Sequence, residues 1–143
     1  GPQYITAANC LVYFSADDLS NGTELWKSDG TAAGTVLVKN IAAGAAGSFP
    51  YNITASGGLV YFSASDGING TELWQSNGTS AGKFIYDITT GGFGSSPSNL
   101  TDVNGRLFFT ASAISEGIEY GEELWVASGT NILPLHLLSF TGI

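Results

Sequence analysis

Glu24-Leu25-Trp26-Lys27-Ser28-Asp29-Gly30-Thr31 returns as Glu72-Leu73-Trp74-Gln75-Ser76-Asn77-Gly78-Thr79 and, altered, as Glu123-Leu124-Trp125-Val126-Ala127-Ser128-Gly129-Thr130. A second motif precedes each copy: LVYFSA at 11–16, LVYFSA at 59–64 and RLFFTA at 106–111. Three copies of one module make a repeat architecture, in which each unit rests on its neighbours. Phe14 and Phe62 lie 48 residues apart, Phe62 and Phe109 lie 47 apart. Trp26 and Trp74 are also 48 apart, whereas Trp74 and Trp125 are 51 apart. The last copy therefore carries an insertion between its two motifs, at ISEGIEYGE (114–122), which reads as a long surface loop. Modules of 4–50, 51–97 and 98–143 follow, with Gly1-Pro2 set aside as a protease-cleavage remnant.

Composition narrows the class. Hydrophobic residues make up 43% and charged ones 11%, and 20 glycines supply many turns. The length suffices for a buried core. No apolar run reaches the ~18 residues of a membrane-spanning helix, so no membrane insertion is expected. Four basic residues against twelve acids give a net charge of −8. That balance argues against nucleic acid and anionic lipid surfaces, which both need clustered Lys and Arg. The single Cys10 allows no internal disulfide and stands where Gly58 and Gly105 stand in the other modules.

Each module reads as four strands. In the middle copy they are NITAS (52–56), LVYFSAS (59–65), TELWQS (71–76) and KFIYDI (83–88), rich in β-branched and aromatic residues. Gly57-Gly58, 66–70 and 76–79 between them carry turn chemistry, because Gly and Asn accept positive φ cheaply. No segment has helical periodicity, so the fold is expected to be all-β. Val36-Leu37-Val38 and Leu59-Val60-Tyr61-Phe62 are continuous apolar runs, not alternating ones. Strands of that kind want cover on both faces. Three four-stranded antiparallel blades of a β-propeller satisfy this demand. A β-trefoil or β-prism with internal threefold symmetry is the alternative, and either would make the chain a self-sealed monomer.

The run Glu24 to Thr31, continued by Ala32-Ala33-Gly34-Thr35, resembles the ELWxxDGT repeat of bacterial secreted and surface proteins. The second copy departs from it at Asn77 and Lys83, and the third at Ser128. The resemblance covers essentially the whole chain. It implies a propeller-like array and an extracellular or cell-surface location, and it implies no particular activity.

The repeated positions Glu24, Trp26, Asp29 and Gly30 recur as Glu72, Trp74, Asn77 and Gly78, and then as Glu123, Trp125 and Gly129. Glu and Trp two residues apart on a strand share a face. Such a pair serves either as a carboxylate beside an aromatic platform for sugar, or as a wedge with a satisfied buried acid. Recurrence in every module favours the structural role. Asp29 and Asn77 suit Asx-turns that close a hairpin, similar to the Asp-box turns of sialidase propellers. Asp17, Asp18 and Asn21, with Glu24, gather oxygens that make a weak Ca²⁺ candidate, although their spacing matches no EF-hand. No other metal or cofactor is expected. Five Asn-X-Thr sequons, at Asn21, Asn52, Asn69, Asn77 and Asn99, fall mostly in turns.

Enzyme chemistry finds little support. Arg106 is the only arginine, which leaves no cluster for a sialidase-type carboxylate. His136 lies in an apolar tail, without a nucleophile-elbow motif to serve. The expected role is a non-enzymatic interaction scaffold. Three blades fall short of the four or so a propeller needs to close. Two chains pairing head to tail would give six, so a homodimer is expected. A protein or glycan partner would meet the long loop, with Ile114, Ile118 and Tyr120 as contacts. The other readings are a lectin-like module stacking sugars on its exposed tryptophans, and an architectural spacer in a longer array.

Overall fold

The computed structural model describes residues 1–80, 83–86, 88–89, 91–115, 117–129 and 131–135, with backbone alone at 83–86 and 115. His136 lies outside them. All regular structure there is β. The first sheet contains β1 (Gln3–Ala8), β2 (Leu11–Asp17), β3 (Thr23–Ser28) and β4 (Val36–Lys39). The second contains β5 (Tyr51–Ser56), β6 (Leu59–Ser65), β7 (Thr71–Ser76) and β8 (Lys83–Tyr86). The third contains β9 (Ser98–Val103), β10 (Arg106–Ser115), β11 (Ile118–Ser128) and β12 (Asn131–Leu135). Each sheet is antiparallel with its strands in chain order, and no sheet closes on itself among the described residues. Each module therefore keeps a sheet of its own.

The register repeats as the motifs do. Phe14 pairs Trp26, Phe62 pairs Trp74 and Phe109 pairs Trp125. A bulge recurs near the start of each sheet, where Tyr4, Asn52 and Asn99 take φ of 54°, 54° and 55°. Asn tolerates this left-handed conformation, which explains two of the sequons without sugar. The tight turns after β1, β5 and β9 place Asn9-Cys10, Gly57-Gly58 and Asn104-Gly105 at positive φ. Two consecutive positive-φ residues suit the right-handed twist of a two-residue hairpin. This same register puts Pro2 in the slot of Pro50 and Pro97, which gives it a place in the repeat and not only in a cleavage remnant.

Residues 114–122 differ from the loop the sequence suggests. β10 and β11 run on as a long hairpin, in which Ile114 pairs Glu119 and Ser115 pairs Ile118. Ile114, Ile118 and Tyr120 are β formers on both sides of Gly117, so the insertion lengthens strands instead of loosening them.

Two hydrophobic clusters join the sheets. Tyr13, Leu25 and Val38 of the first sheet meet Val60, Phe62, Ala64 and Trp74 of the second. Tyr61, Leu73 and Ile88 from the second module meet Leu107, Phe109, Ala111 and Trp125 of the third. Alternate residues of β6 thus enter opposite clusters, as period-2 geometry dictates. The middle sheet is covered on both faces, which is why its strands read as unbroken apolar runs.

Candidate functional site

The recurrent glutamates sit at the module joints. Glu24 is fully buried near the start of β3, accepting the Ala42 N–H at 3.0 Å and the Ser48 hydroxyl. Ser48 does three things at once. Its hydroxyl goes to Glu24, its N–H donates to Thr23 O at 2.9 Å, and its carbonyl accepts the Ser65 N–H at 3.0 Å. The first two contacts hold the first sheet and the third holds the second. Ser95 repeats the arrangement one module later. Its hydroxyl donates to the fully buried Glu72, its N–H to Thr71 O at 3.0 Å, and its carbonyl accepts from Ser112 N at 2.8 Å. Burial pushes the Glu24 carboxyl above its ordinary range, and the bonds from Ser48 and Ala42 hold it partly down. These carboxylates clamp the linker between modules, and no substrate could reach them. Glu123 is half-buried, and the segment that would follow it in the repeat lies outside the described residues.

Glycine pairs make the clamp possible. Gly47 takes φ +77°, and a Cβ there would stand 2.4 Å from Thr23 N. Gly94 takes φ +71°, and a Cβ there would stand 2.3 Å from Thr71 N. Gly47-Ser48-Phe49-Pro50 and Gly94-Ser95-Ser96-Pro97 are thus a second conserved-in-chain signature. Motif reading centred on ELW passes over Ser48 and Ser95, although the Gly-Ser-X-Pro recurrence was there to find them.

The Asx-turns are explicit. Asp29 accepts Thr31 N–H at 2.9 Å and its hydroxyl at 2.7 Å, and Asn77 accepts the same pair from Thr79 at 3.0 and 2.6 Å. These bonds hold the Asp29 carboxyl below its ordinary range. Gly30, Gly78 and Gly129 follow at positive φ. The second and third of these turns are also reached from the sheet before them: Lys27 Nζ donates to Gly78 O at 2.6 Å, and Tyr61 OH to Gly129 O at 3.3 Å.

Asp17, Asp18 and Asn21 are committed locally. Asp18 accepts Ser20 N–H at 2.9 Å, Asn21 N–H at 2.7 Å and the Asn21 amide at 2.7 Å, and Asp17 accepts Leu19 N–H at 2.7 Å. The backbone donors of Asn21 and Ser20 lower the Asp18 carboxyl. Asp66 is built alike; burial pulls its carboxyl up, but bonds from Asn69 and Ile68 prevail and leave it lowered. Among the described residues no group of three His, Cys, Asp or Glu is placed to hold a metal ion.

Trp74 and Trp125 are buried in the joints, with Trp74 Nε1 bonded to Ala64 O at 3.1 Å. They offer no stacking platform. Of the three, Trp26 is half-buried, on the face of the first sheet that no other module covers among the described residues. The rim formed by the connections from β2 to β3, from β6 to β7 and from β10 to β11 is different. It displays Leu19 at 91%, Ile68 at 77%, Ile118 at 56% and Tyr120 at 49% exposure, while Ile114 is half-buried. Comparison with protein-family models, curated proteins and solved structures finds no match.

Proposed function

We propose that the chain is a non-enzymatic repeat module of a secreted or surface scaffold, of the ELWxxDGT kind, that self-associates to complete a propeller. The observation that carries this reading is the middle sheet, which is buried between its neighbours on both faces. Among the described residues the same face types recur, uncovered, on the first and third sheets. A trefoil or prism would share strands around a closed core, whereas each module here keeps its own sheet. Six blades from two chains fit the ring sizes propellers adopt. The repeated acids support the same view, since Glu24 and Glu72 are spent on linker clamps and Asp18, Asp29 and Asp66 on turns. A partner would meet the exposed rim of Leu19, Ile68, Ile118 and Tyr120, which stand at or beside the equivalent connection of each sheet.

Rim substitution tests this: Leu19→Ser with Ile68→Ser should leave the fold and the oligomer unchanged and abolish capture of the protein or glycan partner. Retention of that binding would remove the rim from the reading. The lectin alternative has, of the three tryptophans, only Trp26 to offer as a stacking residue, so a glycan that shifts tryptophan emission in wild type but not in Trp26→Phe would favour it.

A further inference from the structure

The two open faces are complementary in the way the internal ones are. Val12, Phe14 and Trp26 of the first sheet point away from the second, in register with Val60, Phe62 and Trp74, which pack on the sheet before them. Phe108, Leu124 and Val126 of the third sheet point away from the second, in register with Tyr61, Leu73 and Gln75, on the side that covers the sheet after. A groove of about 480 Å³ opens at the turn-tip end of the first sheet, lined by Asn9, Cys10, Leu11, Val12, Asp29 and Gly30. Another of about 270 Å³ opens at the third, lined by Arg106, Val126, Asn131 and Leu133.

The third sheet departs from its siblings at three positions of this face. Phe108 stands where Tyr13 and Tyr61 stand, and Val126 where Lys27 and Gln75 stand, so these two positions are more apolar than at the internal joints. Arg106 replaces Leu11 and Leu59 and brings a guanidinium to this face, while Asp29 brings a carboxylate to the rim of the other.

The turn tips fix the register. At the first joint Asn9 Nδ2 donates to Gly58 O at 2.9 Å. At the second, a Cβ on Gly57 would lie 2.8 Å from Gly105 O and 3.9 Å from Gly105 Cα, and one on Gly105 would lie 3.7 Å from Gly57 Cα. The first turn residue of each module therefore meets the second turn residue of the next. Asn104 is the first turn residue of the last module, and Cys10 is the second of the first.

We propose that the third sheet of one copy docks on the first sheet of a second copy, in the register of the internal joints, so that Asn104 meets Cys10 across the interface. This rests on the self-association reading above and specifies its geometry. The occupant is a second copy because both halves of a contact already made twice within the chain are present on it. Such head-to-tail contacts close into rings when the rotation allows and otherwise grow as filaments.

Asn104→Cys is the test, since a Cβ at either position of this turn pair falls within 4 Å of the other residue's Cα at the second internal joint, which brings two sulfurs there within reach of each other. Cys10 already tolerates positive φ in the matching turn, so the variant should fold as wild type does. Under mild oxidation it should pass almost wholly to disulfide-linked species on a non-reducing gel, reversed by dithiothreitol. Wild type and Asn104→Cys/Cys10→Ser should not. If wild type has an oligomer mass but Asn104→Cys links no more than wild type, the docking register is wrong while self-association stands. If wild type is a monomer at every concentration, both fall.

Discussion

Cys10 holds φ 61° in a turn where its two counterparts are glycines, Gly58 and Gly105. An L residue in the left-handed region costs about 1–2 kcal/mol, which glycine avoids at the expense of a more flexible unfolded chain. Cys10→Gly should therefore raise unfolding stability by about 0.5–1 kcal/mol in urea titrations, and a fall would contradict the turn assignment. Gly94 is the opposite case. A methyl there meets the Thr71 backbone and strains φ together, so Gly94→Ala should cost about 2 kcal/mol or more. Ser48→Ala leaves part of a buried carboxylate without its hydroxyl donor and should cost about 1–3 kcal/mol by the same measurement. At this scale the turn residues were legible, because Asn, Asp and Gly announce positive φ and Asx bonding by their chemistry. The clamp serines were not, since a serine in a Gly-rich linker carries no sign of the buried acid it will meet.

The sheets themselves followed from the pattern of β-branched and aromatic runs bounded by Gly and Asn, and four strands per module emerged at nearly the expected bounds. The exception is the hairpin of β10 and β11, where an insertion read as loop continues the ladder because Ile114, Ile118 and Tyr120 favour strand. The joint between elements has a pH signature. Glu24 has its carboxyl raised by burial, so it binds a proton more readily folded than unfolded. Its contribution is complete below the ordinary value of 4.5 and is lost as pH rises through the raised folded value. Asp18, Asp29 and Asp66 are lowered, so theirs is present above 3.8 and lost as pH falls. Glu24→Gln should flatten the decline in melting temperature above pH 4.5 and leave the acid limb in place. An unchanged slope above that point would show that Glu24 does not titrate as its burial requires.

At the scale of the whole molecule, a sheet with two apolar faces is a slice that needs a neighbour on each side. Among the described residues the chain supplies both neighbours to the middle sheet and one each to the outer two. That demand was legible in Leu59-Val60-Tyr61-Phe62, whose residues divide between the two clusters. Which sheet would meet which was not, since near-identical motifs give near-identical faces; the two clusters and the turn contacts of Asn9 and Gly57 fix the order. The most direct test is the solution mass by light scattering across a dilution series. The account predicts a species of at least twice the 14.8 kDa chain mass, with Trp26 emission blue-shifted by burial. A folded 14.8 kDa monomer with red-shifted Trp26 emission would contradict it.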